Sequence, residues 1–281
     1  MTETATTLPT IAILGAGSMG RAILSGLLQP AVTVAGGIRV TNRSAERAAE
    51  FTDEPRVTAF ATANDPGANR RAVEGASIVL VAVKPHMVSD LLDEIIDSVL
   101  PGCVVVSVAA GVSSTAIESR LPASVSVVRA MPNTPAIVGR AVTGISAGAR
   151  AEPDDVALVR RLFETVGVAV DVPESQLDAL STISGSGPAY VFYLIEQLTA
   201  TAVSKGFSPE QAALLVGDTF LGAAELLKQS GSTPGELRKQ VTSPKGTTER
   251  AIAVLEAAGF KRTFDEATDA ALARAHELAG A

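Results

Sequence analysis

The segment ILGAGSMG (13–20) is the first specific motif in this chain. It contains three glycines in the spacing G-x-G-x-x-G, at Gly15, Gly17 and Gly20. The first glycine of such a motif permits a tight turn, the second lets backbone approach a pyrophosphate, and the third allows close packing of a helix on a strand. An apolar run, TIAIL, precedes the motif, and an amphipathic stretch, RAILSGLL, follows it. This strand-to-helix context predicts a dinucleotide-binding turn and disfavours the alternative, a glycine-rich turn without a ligand.

Short apolar runs and helical patterns alternate through the first 172 residues. Several runs are continuously apolar and β-branched, which is typical of strands buried on both faces. The predicted strands are 10–14, 38–41, 56–60, 77–83, 103–109, 124–128, 141–147 and 168–172. The predicted helices are 18–29, 44–50, 87–98, 114–120 and 154–165. This alternation predicts the α/β class, with a parallel, doubly wound sheet of Rossmann type.

The pattern changes near Pro173, where the strands stop and four or five helices follow. Ser-Pro-Glu-Gln (208–211) and Thr-Pro-Gly-Glu (233–236) are helix starts with a cap, a first-turn proline and a capping-box residue. We therefore expect a Rossmann domain over 1–172 and an all-helical domain over 173–281.

One helix of the second part, AYVFYLIEQL (189–198), is apolar almost all round. Such a helix must be covered on every side, and a small helical domain has difficulty doing this alone. We expect a homodimer built through the C-terminal domain. The alternative is that the rest of the same chain covers the helix.

Composition excludes several classes of protein. The 281 residues carry a net charge of −7, with 47% hydrophobic and 4% aromatic residues. This is a globular composition without the basic, aromatic surface of a nucleic-acid binder. The N-terminus MTETATTLPT lacks the pattern of a secretory signal, and IVLVAV (78–83) is too short to span a bilayer, so a cytoplasmic protein is expected, with no membrane partner.

The single cysteine, Cys103, lies in an apolar run and is interpreted as a core residue, not a nucleophile.

The segment IRVTNRSAER (38–47) bears on the choice of dinucleotide. An NAD site usually has Asp or Glu about 20 residues after the glycine motif, at the end of the second strand. Here Asn42, Arg43 and Ser44 stand there, which favours NADPH because they can bind a 2′-phosphate, and makes NADH the less favoured cofactor. The alternative is a solvated helix start capped by Ser44, and capping is compatible with phosphate binding.

A second cofactor segment, VAVKPHMV (81–88), follows the fourth predicted strand, so Lys84 is expected at the carboxyl edge of the sheet. His86 could be a general acid, but it lies beside Pro85 at a helix start with no obvious carboxylate partner, so a catalytic role is disfavoured. His276 lies on a polar helix face and is interpreted as a solvated residue. No metal site and no Ser/His/Asp triad is predicted.

With these motifs the sequence resembles pyrroline-5-carboxylate reductase. The resemblance is carried, nearly end to end, by ILGAGSMG (13–20), VAVKPH (81–86), VSVAAGV (106–112), RAMPNTP (129–135), ISGSGPAY (183–190) and VTSPKGTTERAI (241–252). It implies NADPH-dependent reduction of the cyclic imine Δ1-pyrroline-5-carboxylate to L-proline, the last step of proline biosynthesis. It also implies an N-terminal Rossmann domain, a helical dimerisation domain, and self-association as a homodimer or as a decamer of dimers.

The motifs and the resemblance together give the expected site residues. The cofactor-binding residues are Leu14, Gly15, Ala16, Gly17, Ser18, Met19, Asn42, Arg43, Ser44, Asn64, Ala82, Val83, Lys84, Pro85, Ala109, Ala110, Gly111 and Glu174. The substrate-binding residues are Ser243, Gly246, Thr247, Thr248, Ser186 and Gly187. Thr248 is the expected catalytic residue, hydrogen-bonded to the imine nitrogen, where it donates a proton or only orients the ring. The sequence departs from the family at Lys245, where many members have glycine, and at Gly231, where some have an acid.

Two other functions stay open on the sequence alone. A β-hydroxyacid dehydrogenase also joins a Rossmann and a helical domain, but it needs a lysine on the first long interdomain helix, and here none occurs before Lys205. A non-catalytic NADP(H) sensor would show the same nucleotide motifs, but it would have no reason to pair the SPKGTT turn with ISGSGPAY.

Overall fold

Ten strands and twelve α-helices lie between residues 6 and 279, the part of the chain that the computed structural model describes. The start of the chain, where we expected no secretory signal, includes residues 1–5 and so lies partly outside the described residues. The strands are β1 Thr6–Leu8, β2 Ile11–Leu14, β3 Val32–Val34, β4 Ile38–Asn42, β5 Val57–Ala61, β6 Ile78–Val81, β7 Val104–Ser107, β8 Ser126–Met131, β9 Ala141–Ala147 and β10 Gly167–Asp171. The helices are α1 Ser18–Leu27, α2 Ala45–Ala49, α3 Ala68–Val73, α4 Val88–Ile95, α5 Ser114–Glu118, α6 Pro153–Glu164, α7 Leu177–Leu180, α8 Gly187–Ser204, α9 Pro209–Ser230, α10 Pro234–Gln240, α11 Thr247–Ala257 and α12 Phe260–Ala279.

Eight strands form one sheet in the order β10-β9-β8-β7-β6-β2-β4-β5. The predicted α/β fold is confirmed, and the pairs from β5 to β8 are all parallel. The expectation of a wholly parallel sheet is wrong at one place, because β8 and β9 pair antiparallel. The connection over 132–140 is shorter than the dozen or so residues that a parallel crossover needs, so β9 must turn back beside β8. A separate pair, β1 and β3, was not predicted.

The continuous apolar runs are explained by burial of the sheet on both faces. Along β2, Ile11 and Ile13 belong to one core cluster, while Ala12 and Leu14 belong to the other. All four are fully buried. Cys103 lies in the second cluster, where burial raises the pKa of its thiol to about 12. A thiol held neutral in this way is a core side chain and not a nucleophile, as expected.

The chain divides into two compact units, Met1–Ser186 with Leu272–Ala281, and Gly187–Ala271. The first unit extends past the expected boundary at 172/173, because Leu177 is buried and the amide of Asn133 donates a hydrogen bond to the carbonyl of Ser184 at 2.8 Å. The division into a 1–172 and a 173–281 domain therefore stays a prediction.

The second unit is wholly helical. The side chains of Ser208 and Thr233 cap α9 and α10 in two capping boxes, as their sequences predicted. The rings of Tyr190 and Phe264 lie 6.2 Å apart. No residue of α8 is buried in the single chain, and Phe192 is 66% exposed.

Among the described helices, none is both long enough and apolar enough to cross a membrane.

Candidate functional site

A cavity of about 880 Å³ opens at the carboxyl ends of β2, β4, β6 and β7. This is the edge of a parallel sheet at which α/β proteins bind their ligands. Thirteen of the predicted cofactor residues line it: Gly15, Gly17, Ser18, Met19, Asn42, Arg43, Ser44, Ala82, Val83, Lys84, Pro85, Ala109 and Ala110. Four motifs that are far apart in sequence therefore meet in one cavity of the first unit.

The glycine turn is fixed by the end of β4. The backbone N–H of Gly15 donates to Oγ1 of Thr41 at 3.2 Å, and the N–H of Ala16 donates to the carbonyl of Thr41 at 2.9 Å. Gly15 has a φ of +89°, a value that favours glycine. Gly17 precedes α1 and provides no side-chain cap, so the first N–H groups of this helix remain available.

These features fit a pyrophosphate. A Cβ built on Gly17 would meet nothing within 4 Å, so the open space beside this glycine is wide enough for a ligand to approach the backbone. The helix N-terminus contributes N–H donors and a positive dipole end.

The end of β4 shows the helix cap and is compatible with the predicted phosphate site in the segment 38–47. Ser44 caps α2 by accepting a hydrogen bond from the N–H of Arg47 at 3.4 Å. Arg43 and Arg47 are exposed, and both line the cavity. A capped helix start thus presents two guanidinium groups and no carboxylate at the position that selects between NAD and NADP.

Five predicted cofactor residues are not in the lining of the cavity: Leu14, Ala16, Asn64, Gly111 and Glu174. Leu14 and Ala16 are fully buried beneath the turn. Asn64 belongs to a loop after β5, whereas Asn69, on α3, lines the cavity. The roles of these five residues stay predictions.

Nine further residues line the cavity that were not predicted as cofactor ligands: Thr41, Arg47, Thr62, Asn69, Met87, Asp90, Leu91, Glu94 and Val108. Several could have been found from helix periodicity. Met87 and Leu91, and likewise Asp90 and Glu94, are four residues apart and so share a face of the predicted helix 87–98. The amide of Asn69 donates to Oε2 of Glu94 at 2.9 Å, which joins α3 to α4 at this wall.

Glu174 has a different environment from the one its predicted role suggests. Its Oε1 accepts hydrogen bonds from the N–H of Ser114 at 2.7 Å and from Nη1 of Arg129 at 2.8 Å. Its Oε2 accepts a hydrogen bond from the hydroxyl of Ser114. Burial alone would raise the pKa of Glu174, but these hydrogen bonds and the charge of Arg129 outweigh it and hold the pKa below its ordinary value.

Neither His86 nor His276 lines the cavity. His86 lies in the 3₁₀ turn Pro85–Met87 but outside the lining of the cavity, and His276 is exposed. Within residues 6–279, no group of three or more His, Cys, Asp and Glu side chains could hold a metal ion.

In the second unit, the hydroxyl-rich turn precedes α11, which begins at Thr247 and has Gly246 as its N-cap residue. Three of its hydroxyls, those of Ser243, Thr247 and Thr248, make no hydrogen bond to the part of the chain that the structure describes. Instead Oε2 of Glu249 accepts the N–H of Lys245 at 2.9 Å. The turn thus has more hydroxyl groups than helix capping uses.

Lys245, one of the two positions at which we expected the sequence to depart from the family, has a φ of +61°. Glycine adopts this left-handed conformation without strain, so a lysine at this position costs backbone strain in the turn. Ser186 ends the π-helical turn Ser181–Gly185, and Gly187 is the first residue of α8. Both are half-buried.

The chain is similar to known proteins over almost its whole length. The family model for pyrroline-5-carboxylate reductase dimerisation matches residues 174–278, and the model for NADP oxidoreductase, coenzyme F420-dependent, matches residues 10–111. The pyrroline-5-carboxylate reductase of Corynebacterium melassecola is 38% identical over 272 residues, which cover 96% of this chain and 98% of that protein. The Escherichia coli reductase is 34% identical over 268 residues, which cover 95% and 97%.

Solved structures give the same result. A pyrroline-5-carboxylate reductase from Coxiella burnetii superposes with a TM-score of 0.86 at 37% identity, over 95% of this chain and 97% of that one. Pyrroline carboxylate reductase from Plasmodium falciparum, solved with NADP bound, has a TM-score of 0.79 at 25% identity, over 96% and 98%. The motifs that line the cavity indicate the same family as these relatives. The chain belongs to the pyrroline-5-carboxylate reductase family.

Proposed function

We propose that this protein reduces Δ1-pyrroline-5-carboxylate to L-proline with NADPH, as an oxidoreductase that acts on a C=N bond and completes proline biosynthesis. The observation that carries the proposal is the cavity, in which the glycine turn, the arginines Arg43 and Arg47 that follow β4, and the ends of β6 and β7 form one dinucleotide-sized site. Relatives named pyrroline-5-carboxylate reductase match this chain over almost the whole length of both proteins.

NADPH is the preferred cofactor, and NADH is the weaker one. The N–H groups at the start of α1 bind the pyrophosphate, and Arg43, Ser44 and Arg47 bind the 2′-phosphate. The absence of a carboxylate among the described residues at the end of β4 removes the group that would bind a 2′-hydroxyl and repel a 2′-phosphate. Bound NADPH supplies a hydride to the imine carbon.

The turn at residues 243–248 is the proposed substrate site. The N–H groups at the start of α11 and the dipole of this helix attract the substrate carboxylate. Thr248, half-buried and without a partner in the described chain, hydrogen-bonds the imine nitrogen. There it donates a proton that water replaces, or it only orients the ring. Ser243, Thr247, Ser186 and Gly187 complete the predicted contacts.

This chemistry needs no strong acid from the protein. An imine nitrogen is already partly protonated in water, and the nitrogen gains electron density as the hydride arrives. Positioning of the ring against the cofactor can therefore supply most of the acceleration. This agrees with a chain in which neither histidine has a predicted catalytic role.

Self-association follows from the match of residues 174–278 to a dimerisation family and from the exposed apolar side chains of α8. We propose a homodimer built through these helices. The larger assembly, a decamer of dimers, and the cytoplasmic location also stay proposals. Light scattering of the purified chain separates the dimer from the larger assembly.

The decisive experiment is NADPH oxidation by the purified chain with Δ1-pyrroline-5-carboxylate, run beside NADH. Rapid turnover that favours NADPH supports both the reaction and the phosphate site. Turnover that favours NADH keeps the reaction and overturns the cofactor preference. Tight NADPH binding without turnover would favour the non-catalytic sensor. Turnover of a β-hydroxyacid would favour the dehydrogenase.

A further inference from the structure

Arg129 is a buried charge that the proposed chemistry does not use. Its side chain is 7% exposed, and it forms an ion pair with Glu174 at 2.8 Å. Its Nη2 is buried without a hydrogen-bond partner among the described residues. A buried ion pair with an unsatisfied donor contributes little to the stability of a fold. Stability therefore does not explain why Arg129 and Glu174 are paired here.

The pair joins both ends of one cofactor loop. This loop, residues 108–113, connects β7 to α5 and contributes Val108, Ala109 and Ala110 to the cavity. At its start, Ser107 is the neighbour of Arg129 across the β7–β8 pairing. At its end, Ser114 gives both its N–H and its hydroxyl to Glu174.

We propose that Arg129 and Glu174 are positioning residues for the cofactor: together they hold the loop 108–113 in the shape that binds the nicotinamide half of NADPH. Neither residue lines the cavity, so both act through the loop. This inference rests on the proposed function only in that the cavity binds NADPH.

The order of the strands indicates which half of the cofactor lies beside the loop 108–113. The glycine turn after β2 binds pyrophosphate and the end of β4 binds the adenosine phosphate. In the sheet β7 lies three strands from β4, a distance of about 14 Å at the usual strand spacing. The loop after β7 is therefore at the end of the cavity that the adenosine half does not reach.

The test is calorimetric binding of two ligands, NADPH and 2′,5′-ADP, which lacks the nicotinamide half. Glu174→Gln should weaken NADPH binding about tenfold, because it loses a charge-assisted interaction, and should leave 2′,5′-ADP binding unchanged. Arg129→Met should give the same selective loss. The double variant should be no worse than the more affected single variant, since both residues act through one contact.

Glu118→Gln is the matched control. Glu118 is a buried carboxylate at the end of α5, the helix that begins with Ser114. Its Oε1 accepts a hydrogen bond from the N–H of Arg150 at 3.0 Å and none from the loop 108–113. Glu118→Gln should lower the melting temperature of the protein without changing its affinity for NADPH.

Three results would overturn the inference: unchanged NADPH binding in Glu174→Gln, equal weakening of both ligands, or a loss in Glu118→Gln of the same size. An effect of Glu174→Gln without any effect of Arg129→Met would instead indicate a direct contact of Glu174 with the cofactor. Failure of the wild-type chain to bind NADPH at all would overturn the proposed function, and that result is independent of the variants.

Discussion

A Cβ on Gly15 would lie 2.8 Å from Cγ1 of Val83, and the backbone N of Val83 would be only 3.1 Å away. Both residues line the cavity, so this contact sets how closely the glycine turn approaches the end of β6. Gly17, two residues further on, has open space instead. The two glycines of one motif therefore serve different purposes, one in packing and one in ligand approach.

Substitution by alanine separates these purposes. Gly15→Ala should lower the free energy of unfolding by about 1–3 kcal/mol, because its methyl group overlaps Val83 and its φ is left-handed. Gly17→Ala should leave stability within about 0.5 kcal/mol and weaken NADPH binding, because the methyl group enters the space of the pyrophosphate. Urea unfolding and calorimetry measure the two effects. A stable Gly15→Ala variant would show that the turn can move away from β6.

Arg43 should determine the preference for NADPH. Arg43→Met should weaken NADPH binding about 10- to 100-fold, the effect of one hydrogen bond between charged groups, and leave NADH binding unchanged. Arg161→Met is the control, since Arg161 is an exposed arginine of α6 outside the lining of the cavity. Equal loss for both cofactors would mean that Arg43 contacts a part that they share.

The fold at this end of the molecule could be predicted from the sequence for a local reason. The cofactor turn, its helix and the end of β4 are each coded by a few adjacent residues, and a parallel sheet brings all such strand ends to one edge. The strand β9 was predicted at its observed bounds, 141–147, but its antiparallel direction was missed. An apolar run carries no information on strand direction, which here is set by the short connection after β8.

Asn64 and Asn69 illustrate a second limit. Both lie in the segment 61–76, where no helix was predicted, and Asn69 lies on the helix α3 that the structure has there. Glu174 illustrates a third, because its partners Ser114 and Arg129 are 60 and 45 residues away in sequence. A local pattern contains no information about contacts of that kind.

The lowered pKa of Glu174 predicts a pH dependence. A carboxyl whose pKa is lower in the folded than in the unfolded chain adds stability above its unfolded pKa, near 4.5, and this contribution is lost as the pH falls through the folded pKa. The stability difference between wild type and Glu174→Gln should therefore be constant from pH 7 to about 5.5 and shrink below about pH 4.5. Urea midpoints across this range measure it. A difference that stays constant down to pH 3 would show that the charge of Glu174 does not stabilise the fold.

Thr248 should be required for the reaction and not for the fold. Its hydroxyl makes no hydrogen bond to the described chain, and it follows Thr247 in the first turn of α11. Thr248→Ala should therefore keep the wild-type melting temperature and lower kcat/KM. A loss of about tenfold fits a hydroxyl that only orients the ring, and a loss of about 100-fold or more fits a proton donor.

The matched control for Thr248 is Thr242→Ala in the same turn. The hydroxyl of Thr242 donates to the carbonyl of Arg238 at 2.6 Å and is thus already used within the fold. Thr242→Ala should lower the melting temperature with little effect on kcat/KM, the reverse of the Thr248 variant. If kcat/KM is unchanged in Thr248→Ala, the hydroxyl does not bind the imine nitrogen, and Ser243 and Thr247 become the next hydroxyls to substitute. A solvent isotope effect on kcat that disappears in Thr248→Ala would identify the hydroxyl as the proton donor, since an orienting hydrogen bond transfers no proton in the rate-limiting step.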